Sequence, residues 1–280
     1  MKWEEKAKYY YERCQGYYKL WFDKKSLGMH YGFWENETRS RSEALINQYR
    51  MVLKTLQPKN NELILDAGCG VGGASFWLAH QTDANFIGIT ISPKQIRLAQ
   101  KHARDRGLLE RIKFHEMSFF DTNFKNETID KIFTIESFCY SYPEPTKFAK
   151  EMYRILKRGG KIHISDGILL RQPKNEKEKR MLREWYSGWG LMGINTKDEI
   201  IYGFRKIGFK NINFIDKTEA IKKNVWQIYI FGFLGLNALR ILRLFGKRKS
   251  IELDHARACM NQKKLVDIGL MGYGIFTAEK

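Results

Sequence analysis

The sequence predicts an α/β fold: a doubly wound, mostly parallel, seven-stranded sheet with an N-terminal helical cap and a C-terminal lid insertion. The first observation is a glycine-rich turn. The apolar run Leu63–Leu65 leads into Asp66, and four glycines then occupy the six positions from Gly68 to Gly73. The second observation is that apolar segments of strand length alternate with segments of helical periodicity from there on, as in a parallel sheet with helices on both faces. Such sheets bind ligands beyond the carboxyl ends of their strands.

The elements are justified in chain order by periodicity and by start and stop signals. An amphipathic helix is expected over 38–56, ahead of the sheet. Pro93 suits the first turn of a helix that Gly107 ends. Thr196 is expected to cap a helix that ends at Gly208. The predicted strands are 63–66, 85–90, 111–115, 129–135, 160–165, 210–215 and 272–278, and the other predicted helices are 73–81, 93–106 and 144–156.

A single domain is predicted for residues 1–280, because 280 residues suit one α/β domain with additions. Its parts differ in composition. They are a helical, aromatic cap (1–58), a ligand-binding core (62–170), substrate-side helices and a lid (171–258) that include a basic amphipathic segment (225–249), and a closing helix and strand (259–280).

The composition limits the classes of protein to which this chain can belong. Forty-nine Lys and Arg against 31 Asp and Glu give a net charge of +18, which suits an anionic partner such as nucleic acid or a lipid surface. The four cysteines form no CxxC pair, which argues against a zinc site and for a reducing, cytoplasmic compartment. The N-terminus has no apolar signal core. The apolar run 225–239 is too short to span a bilayer, so the basic segment is expected to be a lid or a peripheral membrane helix.

The acid ahead of the glycines distinguishes between two classes of cofactor. A dinucleotide site typically carries an acid at the end of the second strand, where it binds the ribose hydroxyl. Here the strand 85–90 is followed by Ile91 and Ser92, with no acid. Asp66 lies two residues before the first glycine. A carboxylate at that place suits a cofactor with a cationic amino group better than one with a pyrophosphate.

A ring-rich loop precedes the sheet. The residues His30-Tyr31-Gly32-Phe33-Trp34 lie between Gly28 and Asn36, two residues typical of loops. Because regular packing is not expected to bury so many rings on one loop, we predict a functional loop here.

The motif Asp66-Ala67-Gly68-Cys69-Gly70-Val71-Gly72-Gly73 resembles motif I of the class I S-adenosylmethionine (SAM)-dependent methyltransferases. The strand spacing, Glu136-Ser137 after the fourth strand and Arg154–Gly160 before the fifth agree with that family. The resemblance implies a Rossmann-like fold and SAM as the methyl donor, with S-adenosylhomocysteine as the product.

Three further motifs resemble the tocopherol and sterol C-methyltransferases and their small-molecule relatives. They are Gly88–Gln95, His30–Trp34 and Tyr273–Phe276. The implied reaction is methylation of carbon, nitrogen or oxygen on a small amphiphilic, aromatic or prenyl-type acceptor. The cofactor-binding candidates carried over from the family are Asp66, Gly68, Cys69, Gly70, Gly72, Thr90, Ile91, Gln95, Ser118, Phe119 and Glu136.

Methyl transfer from SAM is an in-line displacement, so the protein must chiefly position the nucleophile and exclude water. Where the nucleophile loses a proton, a base is needed within hydrogen-bond reach. Glu136 is the first candidate and His30 the second, with Tyr140 as an orienting hydroxyl. A role for Glu136 in binding the substrate or a cationic intermediate is an equal alternative. The substrate-binding candidates, chosen for aromatic contact with a cationic or apolar acceptor, are Tyr17, Tyr31, Trp34, Tyr140, Trp185 and Trp189.

Two other functions remain open from the sequence. A nucleic-acid methyltransferase would use the +18 charge, but the place after the fourth strand, residues 135–140, lacks the Asn/Asp-Pro-Pro-aromatic loop of amino-methylating enzymes. A non-catalytic SAM or nucleotide binder would be expected to lack the lid and the aromatic acceptor pocket. No cluster has metal-ligand spacing, so no metal is predicted. The sequence leaves the oligomeric state open, and a homodimer is compatible with it.

Overall fold

The computed structural model describes residues 23, 25–244 and 250–280. Its strands are β1 (Leu63–Ala67), β2 (Asn85–Thr90), β3 (Ile112–Glu116), β4 (Ile129–Ile135), β5 (Leu156–Leu169), β6 (Lys210–Asp216) and β7 (Met271–Glu279). They form one seven-stranded sheet in the order β3–β2–β1–β4–β5–β7–β6. Strands β1 to β5 are parallel, and β7 is antiparallel to both of its neighbours. The predicted fold class, a doubly wound and mostly parallel sheet, is confirmed.

Eight α-helices lie within the described residues. They are α1 (Arg41–Leu56), α2 (Gly73–Gln81), α3 (Pro93–Asp105), α4 (Pro145–Ile155), α5 (Glu176–Trp189), α6 (Lys197–Ile207), α7 (Thr218–Leu244) and α8 (Ser250–Asp267). A short 3₁₀ turn, Phe138–Ser141, follows β4.

Short polar side chains begin several of these helices, and the sequence predicts the cap at Thr196. Ser92 Oγ accepts a hydrogen bond from the Gln95 N–H at 3.4 Å, and Pro93 occupies the first turn of α3. Thr196 and Glu199 form a reciprocal capping box at the start of α6. These bonds satisfy backbone N–H groups that have no partner within a helix.

Strand β7 inserts between β5 and β6, and this insertion positions part of the site. In the antiparallel register of β5 and β7, Asp166 stands opposite Gly274 and Gly167 opposite Tyr273. The Tyr273 side chain is fully buried. Its hydroxyl reaches Glu136, which follows β4.

Helices α5, α7 and α8 pack together through glycines. A Cβ atom at Gly188 of α5 would lie 2.3 Å from Ala258 Cβ of α8. One at Gly232 of α7 would lie 2.6 Å from Cys259 Cβ of α8. Both distances are too short for any side chain, so only glycine permits these close approaches.

Some boundaries differ from the sequence predictions. Helix α1 begins at Arg41 because Ser40 caps it, three residues later than predicted. Strand β5 continues beyond residue 165, so Asp166 lies within it. The predicted division between 258 and 259 falls inside α8. Residues 245–249 of the basic segment 225–249 and the start of the cap, residues 1–22, lie outside the described residues.

Two surface expectations are corrected. The rings of the loop from His30 to Trp34 are buried or half-buried, since α1 packs beneath them and Phe33 is fully enclosed. On α7 the apolar residues do not form a single face: Ile228 is buried, whereas Phe231 is 57 % exposed. The buried face of α7 follows the spacing of Ile228, Gly232 and Leu236 instead.

Two features are absent from the described residues. None of their helices combines the length and apolar character that a bilayer crossing requires. No three His, Cys, Asp or Glu side chains among them are grouped as ligands for a metal ion.

Candidate active site

A cavity of about 230 Å³ opens at the carboxyl ends of the parallel strands. The loops after β1, β2 and β4 form one part of its wall. The segment 27–31 and helices α5, α7 and α8 contribute another part, through residues such as Trp185, Ile228 and Gln262. The loop after β3 and strands β5 and β7 also line the cavity. None of the described residues that line the cavity is a lysine or an arginine.

The glycine loop after β1 presents backbone to this cavity. Gly68, Gly70 and Gly72 have φ angles of +100°, +55° and +89°, a region that side chains disfavour. A Cβ at Gly68 would lie 2.1 Å from Ser137 Oγ, whereas one at Gly70 would meet nothing closer than Met29 Cε at 4.0 Å. The space beside Gly70 is therefore open to a ligand.

Two other residues of the glycine loop differ in whether they line the cavity. Cys69 lines the cavity as predicted from its place in the motif. Gly72 lies outside the wall and packs on two rings: a Cβ added to it would lie 2.7 Å from Phe114 Cζ and 2.8 Å from Phe76 Cε2. Its role in this structure is to allow the loop to pack on the core.

Asp66 is the acid at the end of β1, and it is only 3 % exposed. Ser75 Oγ donates a hydrogen bond to its Oδ2 at 2.7 Å. Burial raises the pKa of Asp66 to about 7. A cationic amino group in the cavity would restore the ionised form and lower that pKa, because an opposite charge favours the carboxylate.

The end of β2 forms the next part of the wall. Thr90 Oγ1 donates a hydrogen bond to Gln95 Oε1 at 2.7 Å, and both residues line the cavity together with Ile91. Phe119 also lines it. Ser118 does not, and its Oγ accepts a hydrogen bond from the Phe120 N–H at 3.3 Å. Of the two candidates after β3, Phe119 therefore lines the cavity and Ser118 does not.

Glu136 follows β4 in an unusual backbone conformation. Its φ angle is +51°, which costs a non-glycine residue about 1 kcal/mol or more and is typical of functional positions. Oε1 accepts hydrogen bonds from the Tyr31 N–H at 2.7 Å and from the Tyr273 hydroxyl at 3.0 Å. Among the described residues Oε2 has no partner. Burial and the nearby Asp166 carboxyl raise the pKa of Glu136 to about 8.

Asp166 is a third acid in the cavity wall, after Asp66 and Glu136, and it was not among the predicted site residues. It accepts hydrogen bonds from the backbone N–H groups of Cys139 at 2.8 Å and Gly167 at 2.7 Å. Burial raises its pKa to about 7. The signal was present, because an acid at the carboxyl end of a predicted strand belongs to the ligand-binding edge of the sheet.

His30 lines the cavity, but both of its ring nitrogens are engaged. Nδ1 lies 2.6 Å from the Tyr31 carbonyl and Nε2 lies 3.1 Å from the Tyr49 hydroxyl. Burial lowers the pKa of His30 to about 4, so the ring is neutral at pH 7. These contacts suit an element that orders the loop better than a base that exchanges protons with a substrate.

The predicted aromatic residues divide into three groups. Tyr31, Tyr140, Trp185 and Trp189 line the cavity. Trp34 lies outside its wall: its Nε1 donates a hydrogen bond to Asn224 Oδ1 at 2.8 Å, and Lys223 Nζ sits 3.7 Å from its ring centroid. Tyr17 lies outside the described residues.

Gln48 and Tyr273 support the site through hydrogen bonds, although neither was among the predicted site residues. Gln48 Nε2 donates to the Tyr273 hydroxyl at 2.9 Å and to the Tyr31 carbonyl at 3.2 Å. Gln48 and Tyr273 thereby connect α1 and β7 to Glu136. Their separation of 225 positions in the chain leaves no local pattern that could reveal this network.

Comparisons of this sequence with known proteins found methyltransferases. A family model described as a methyltransferase domain matches residues 65–164. The chain is 30 % identical over 190 residues to sterol methyltransferase-like 3 of Botryococcus braunii, a match that spans 67 % of this chain and 47 % of that protein. It is 23 % identical over 253 residues to 27-O-demethylrifamycin SV methyltransferase of Amycolatopsis mediterranei, spanning 90 % and 89 % of the two.

Solved structures show the same fold. A cyclopropane synthase from Mycobacterium tuberculosis superposes with a TM-score of 0.84 at 17 % identity, covering 99 % of this chain and 98 % of its own. Several curated relatives are longer than this chain, which spans about half the length of the sterol methyltransferase-like protein.

Proposed function

We propose that this chain, which belongs to the class I SAM-dependent methyltransferases, transfers the methyl group of SAM to carbon, nitrogen or oxygen of a small, apolar acceptor without phosphate groups. One observation carries the proposal. A single cavity joins the glycine loop after β1 to an aromatic wall with two acids and, among the described residues, no lysine or arginine. A phosphorylated acceptor would meet no counter-charge there.

The residues around the glycine loop fit SAM. SAM supplies a methyl group activated by a cationic sulfur. Asp66 offers a carboxylate for the cofactor's amino group, and the open space beside Gly70 admits its methionine end. Thr90, Gln95 and the ring of Phe119 offer polar and apolar contacts for the ribose and adenine.

Glu136 acts on the acceptor side. Two hydrogen bonds fix Oε1, so Oε2 is the oxygen that faces the acceptor. In its ionised form Glu136 is able to take up a proton from a nucleophile or to stabilise a cationic centre, and its pKa near 8 makes that carboxylate a stronger base than an ordinary glutamate. Tyr31 and Tyr140 add rings to the same wall. The aromatic side chains of this wall would limit the access of water to the methyl group.

The experiment is a transfer assay with methyl-labelled SAM and purified protein. We expect labelling of one or more neutral sterol, terpenoid, phenolic or amine acceptors and none of their phosphate esters. Gly70→Asp, in which the new side chain would fill the cofactor site, is the negative control. Preferential labelling of RNA or DNA would support the nucleic-acid alternative. Binding of SAM without transfer to any acceptor would support the non-catalytic alternative.

Helix α7 provides a reason to include a membrane in the proposal. Its outer face exposes Trp226 (53 %), Phe233 (48 %) and Leu234 (60 %), and Lys222 and Lys223 are exposed beside them. The same helix lines the cavity through Ile228. We infer that this face contacts an anionic lipid surface. The apolar side chains would insert among the lipid tails, and the lysines would bind the anionic headgroups.

Vesicle co-sedimentation tests this contact. We expect binding to vesicles with 30 % phosphatidylserine at low salt, weaker binding at high salt, and loss of binding in Trp226→Ser/Leu234→Ser. Ile215→Ser on β6 is the matched control at another exposed apolar position. Equal sedimentation of all three proteins would exclude α7 as the contact. A cytoplasmic location is proposed as well, since the described cysteines Cys69, Cys139 and Cys259 are free.

A further inference from the structure

Asn224 is a buried polar residue of α7 that lies outside the cavity wall. It is only 1 % exposed. Its Oδ1 accepts two hydrogen bonds, from the Gly32 N–H at 3.0 Å and from Trp34 Nε1 at 2.8 Å. Both of these groups can only donate, so the amide oxygen must face them and the orientation of the side chain is fixed.

The Gly32 N–H belongs to the peptide group that follows Tyr31, and this group is held at both of its polar ends. Its N–H donates to Asn224, and its carbonyl, that of Tyr31, accepts a hydrogen bond from Gln48 Nε2 at 3.2 Å. A peptide group is planar, so fixing its N–H and its carbonyl fixes its orientation. The N–H on the other side of the Tyr31 Cα donates to Glu136 Oε1 at 2.7 Å.

The ring-rich loop that contains this peptide group lies between α1 and α7. A Cβ atom at Gly32 would lie 2.6 Å from Ala44 Cβ, so the loop meets α1 with bare backbone. The Trp34 N–H donates to the Ala220 carbonyl of α7 at 2.8 Å. Asn224 adds two hydrogen bonds from the same helix. The position of the loop therefore depends on α7 as well as on α1.

We propose that Asn224 is a positioning residue for Glu136. By holding the ring-rich loop, it directs the Tyr31 N–H at Glu136 Oε1 and leaves Oε2 to face the acceptor. The proposal rests on the proposed function in one respect, that Glu136 acts on the acceptor. Helix α7 thus controls the reacting end of the site through a residue that does not itself line the cavity.

The ionisation of Glu136 reports on this arrangement, because the hydrogen bond from the Tyr31 N–H favours the carboxylate and lowers its pKa. Asn224→Leu removes the acceptor and keeps a side chain of similar size. We expect the pKa of Glu136 to rise by about 0.5–1 in this variant, the effect of one net hydrogen bond. Carbon-13 NMR of side-chain-labelled glutamate measures it, with the resonance assigned by its loss in Glu136→Gln.

A second variant disturbs the same contact from the loop. Trp34→Phe removes the indole N–H and leaves the bond from Gly32, so a smaller rise in the pKa of Glu136 is expected. When Trp34→Phe is combined with Asn224→Leu, the rise should be no larger than in Asn224→Leu alone, because both substitutions act on one contact. All variants keep the ionisable groups that interact with Glu136, which are Tyr31, Tyr49, Cys139, Asp166 and Tyr273.

Asn261→Leu is the matched control for the loss of a buried asparagine. Asn261 is 6 % exposed, lies on α8 outside the cavity wall, and donates to Glu184 at 2.7 Å. Its substitution should lower the melting temperature and leave the titration of Glu136 unchanged. Melting temperature and S-adenosylhomocysteine affinity report whether each variant is folded. If Asn224→Leu does not fold, Trp34→Phe decides alone, and a wild-type titration in it overturns the inference.

The outcomes separate this inference from the proposed function. A wild-type titration of Glu136 in folded Asn224→Leu, an equal rise in Asn261→Leu, or additive rises in the double variant would overturn the inference. A rise confined to the Asn224 and Trp34 variants, without methyl transfer to any acceptor by the wild type, would uphold the positioning role and reject the methyltransferase proposal. Methyl transfer with an unchanged titration in every variant would do the opposite.

Discussion

The hydroxyl of Tyr273 donates a hydrogen bond to Glu136 Oε1 across 3.0 Å and so links β7 to the loop after β4. The Tyr31 N–H donates to the same oxygen at 2.7 Å. Gln48 Nε2 in turn donates to the Tyr273 hydroxyl at 2.9 Å. The carboxyl of Glu136 is therefore held directly by two separate segments of the chain, and Gln48 of α1 supports one of them.

Tyr273→Phe should raise the pKa of Glu136 above its value of about 8, because the hydrogen bond from Tyr273 favours the ionised carboxyl. Carbon-13 NMR of side-chain-labelled glutamate measures this, with the resonance assigned by its loss in Glu136→Gln. SAM affinity should be unchanged, since Tyr273 does not line the cavity. A titration at or below the wild-type pKa would show that Tyr273 does not position this group.

Glu136→Gln should stabilise the ligand-free protein increasingly as the pH rises. Burial raises the pKa of Glu136 from 4.5 to about 8, so its contribution to stability is present below pH 4.5 and is lost as the pH rises through 8. Between pH 5.5 and 7.5 the difference from wild type should grow by up to ~1.4 kcal/mol per pH unit. Urea unfolding measures it. Glu110→Gln, at an exposed position, controls for the loss of one negative charge. A constant difference would contradict the raised pKa.

The affinity for SAM should fall as the pH is lowered from 7.5 to 6. The pKa of Asp66 is about 7 in the free protein, and only its ionised form attracts an amino group. Affinity should therefore drop severalfold, towards tenfold per pH unit well below that pKa. Calorimetry up to pH 7.5 keeps the cofactor's amino group protonated. Asp66→Asn should bind weakly with no such slope. If the slope persists in Asp66→Asn, another group is responsible.

Gly70→Asp should weaken SAM binding by at least about 100-fold, because its side chain would occupy the open space beside the glycine loop and add a negative charge. Gly107→Asp is a close control. Both glycines have positive φ, +55° and +66°, and neither Cβ would meet an atom closer than 4.0 Å. The two variants therefore carry similar backbone strain, and they differ in that only Gly70 lines the cavity. Unaltered affinity in Gly70→Asp would place the cofactor elsewhere.

Two glycines of α7 should respond oppositely to alanine. Gly232→Ala places a Cβ 2.6 Å from Cys259 Cβ and 2.9 Å from the Ala256 carbonyl, and such overpacking costs about 1–3 kcal/mol. Gly235→Ala meets nothing within 4 Å and should gain up to about 1 kcal/mol of helix propensity. Chemical denaturation of both variants measures the difference. Equal effects would mean that α7 does not pack on α8 as described.

The core of the fold was predictable because its signals are local. The glycine turn after Asp66, the helix start at Pro93, the cap at Thr196 and the apolar strands each depend on neighbours in sequence. The extent of β5 was not predictable, because it is β7, more than 100 positions further on, that pairs with Asp166 and Gly167. The burial of the ring-rich loop has the same origin, since α1 and β7 enclose Phe33.

For the site, sequence identified the cofactor side better than the acceptor side. Asp66, Gly70, Thr90 and Gln95 lie together because the ends of β1 and β2 are neighbours in any such sheet. The acceptor side depends on how α5 and α8 pack, and that packing follows from glycines such as Gly188 rather than from a motif. Gln262 carries no signal in sequence, since a glutamine on a helix is usually a solvated residue.

The position of β7 has a consequence for how the protein is made. Strand β6 pairs only with β7 in the described sheet, and the outer edge of β5 is also closed by β7. Synthesis proceeds from the N-terminus, so until residues 271–279 arrive the nascent chain carries two open strand edges. Open edges recruit other chains. One late strand thus closes the edge of β5, pairs with β6 and delivers Tyr273 to Glu136, so the step that removes these two open edges also completes the hydrogen bonds to Glu136 Oε1.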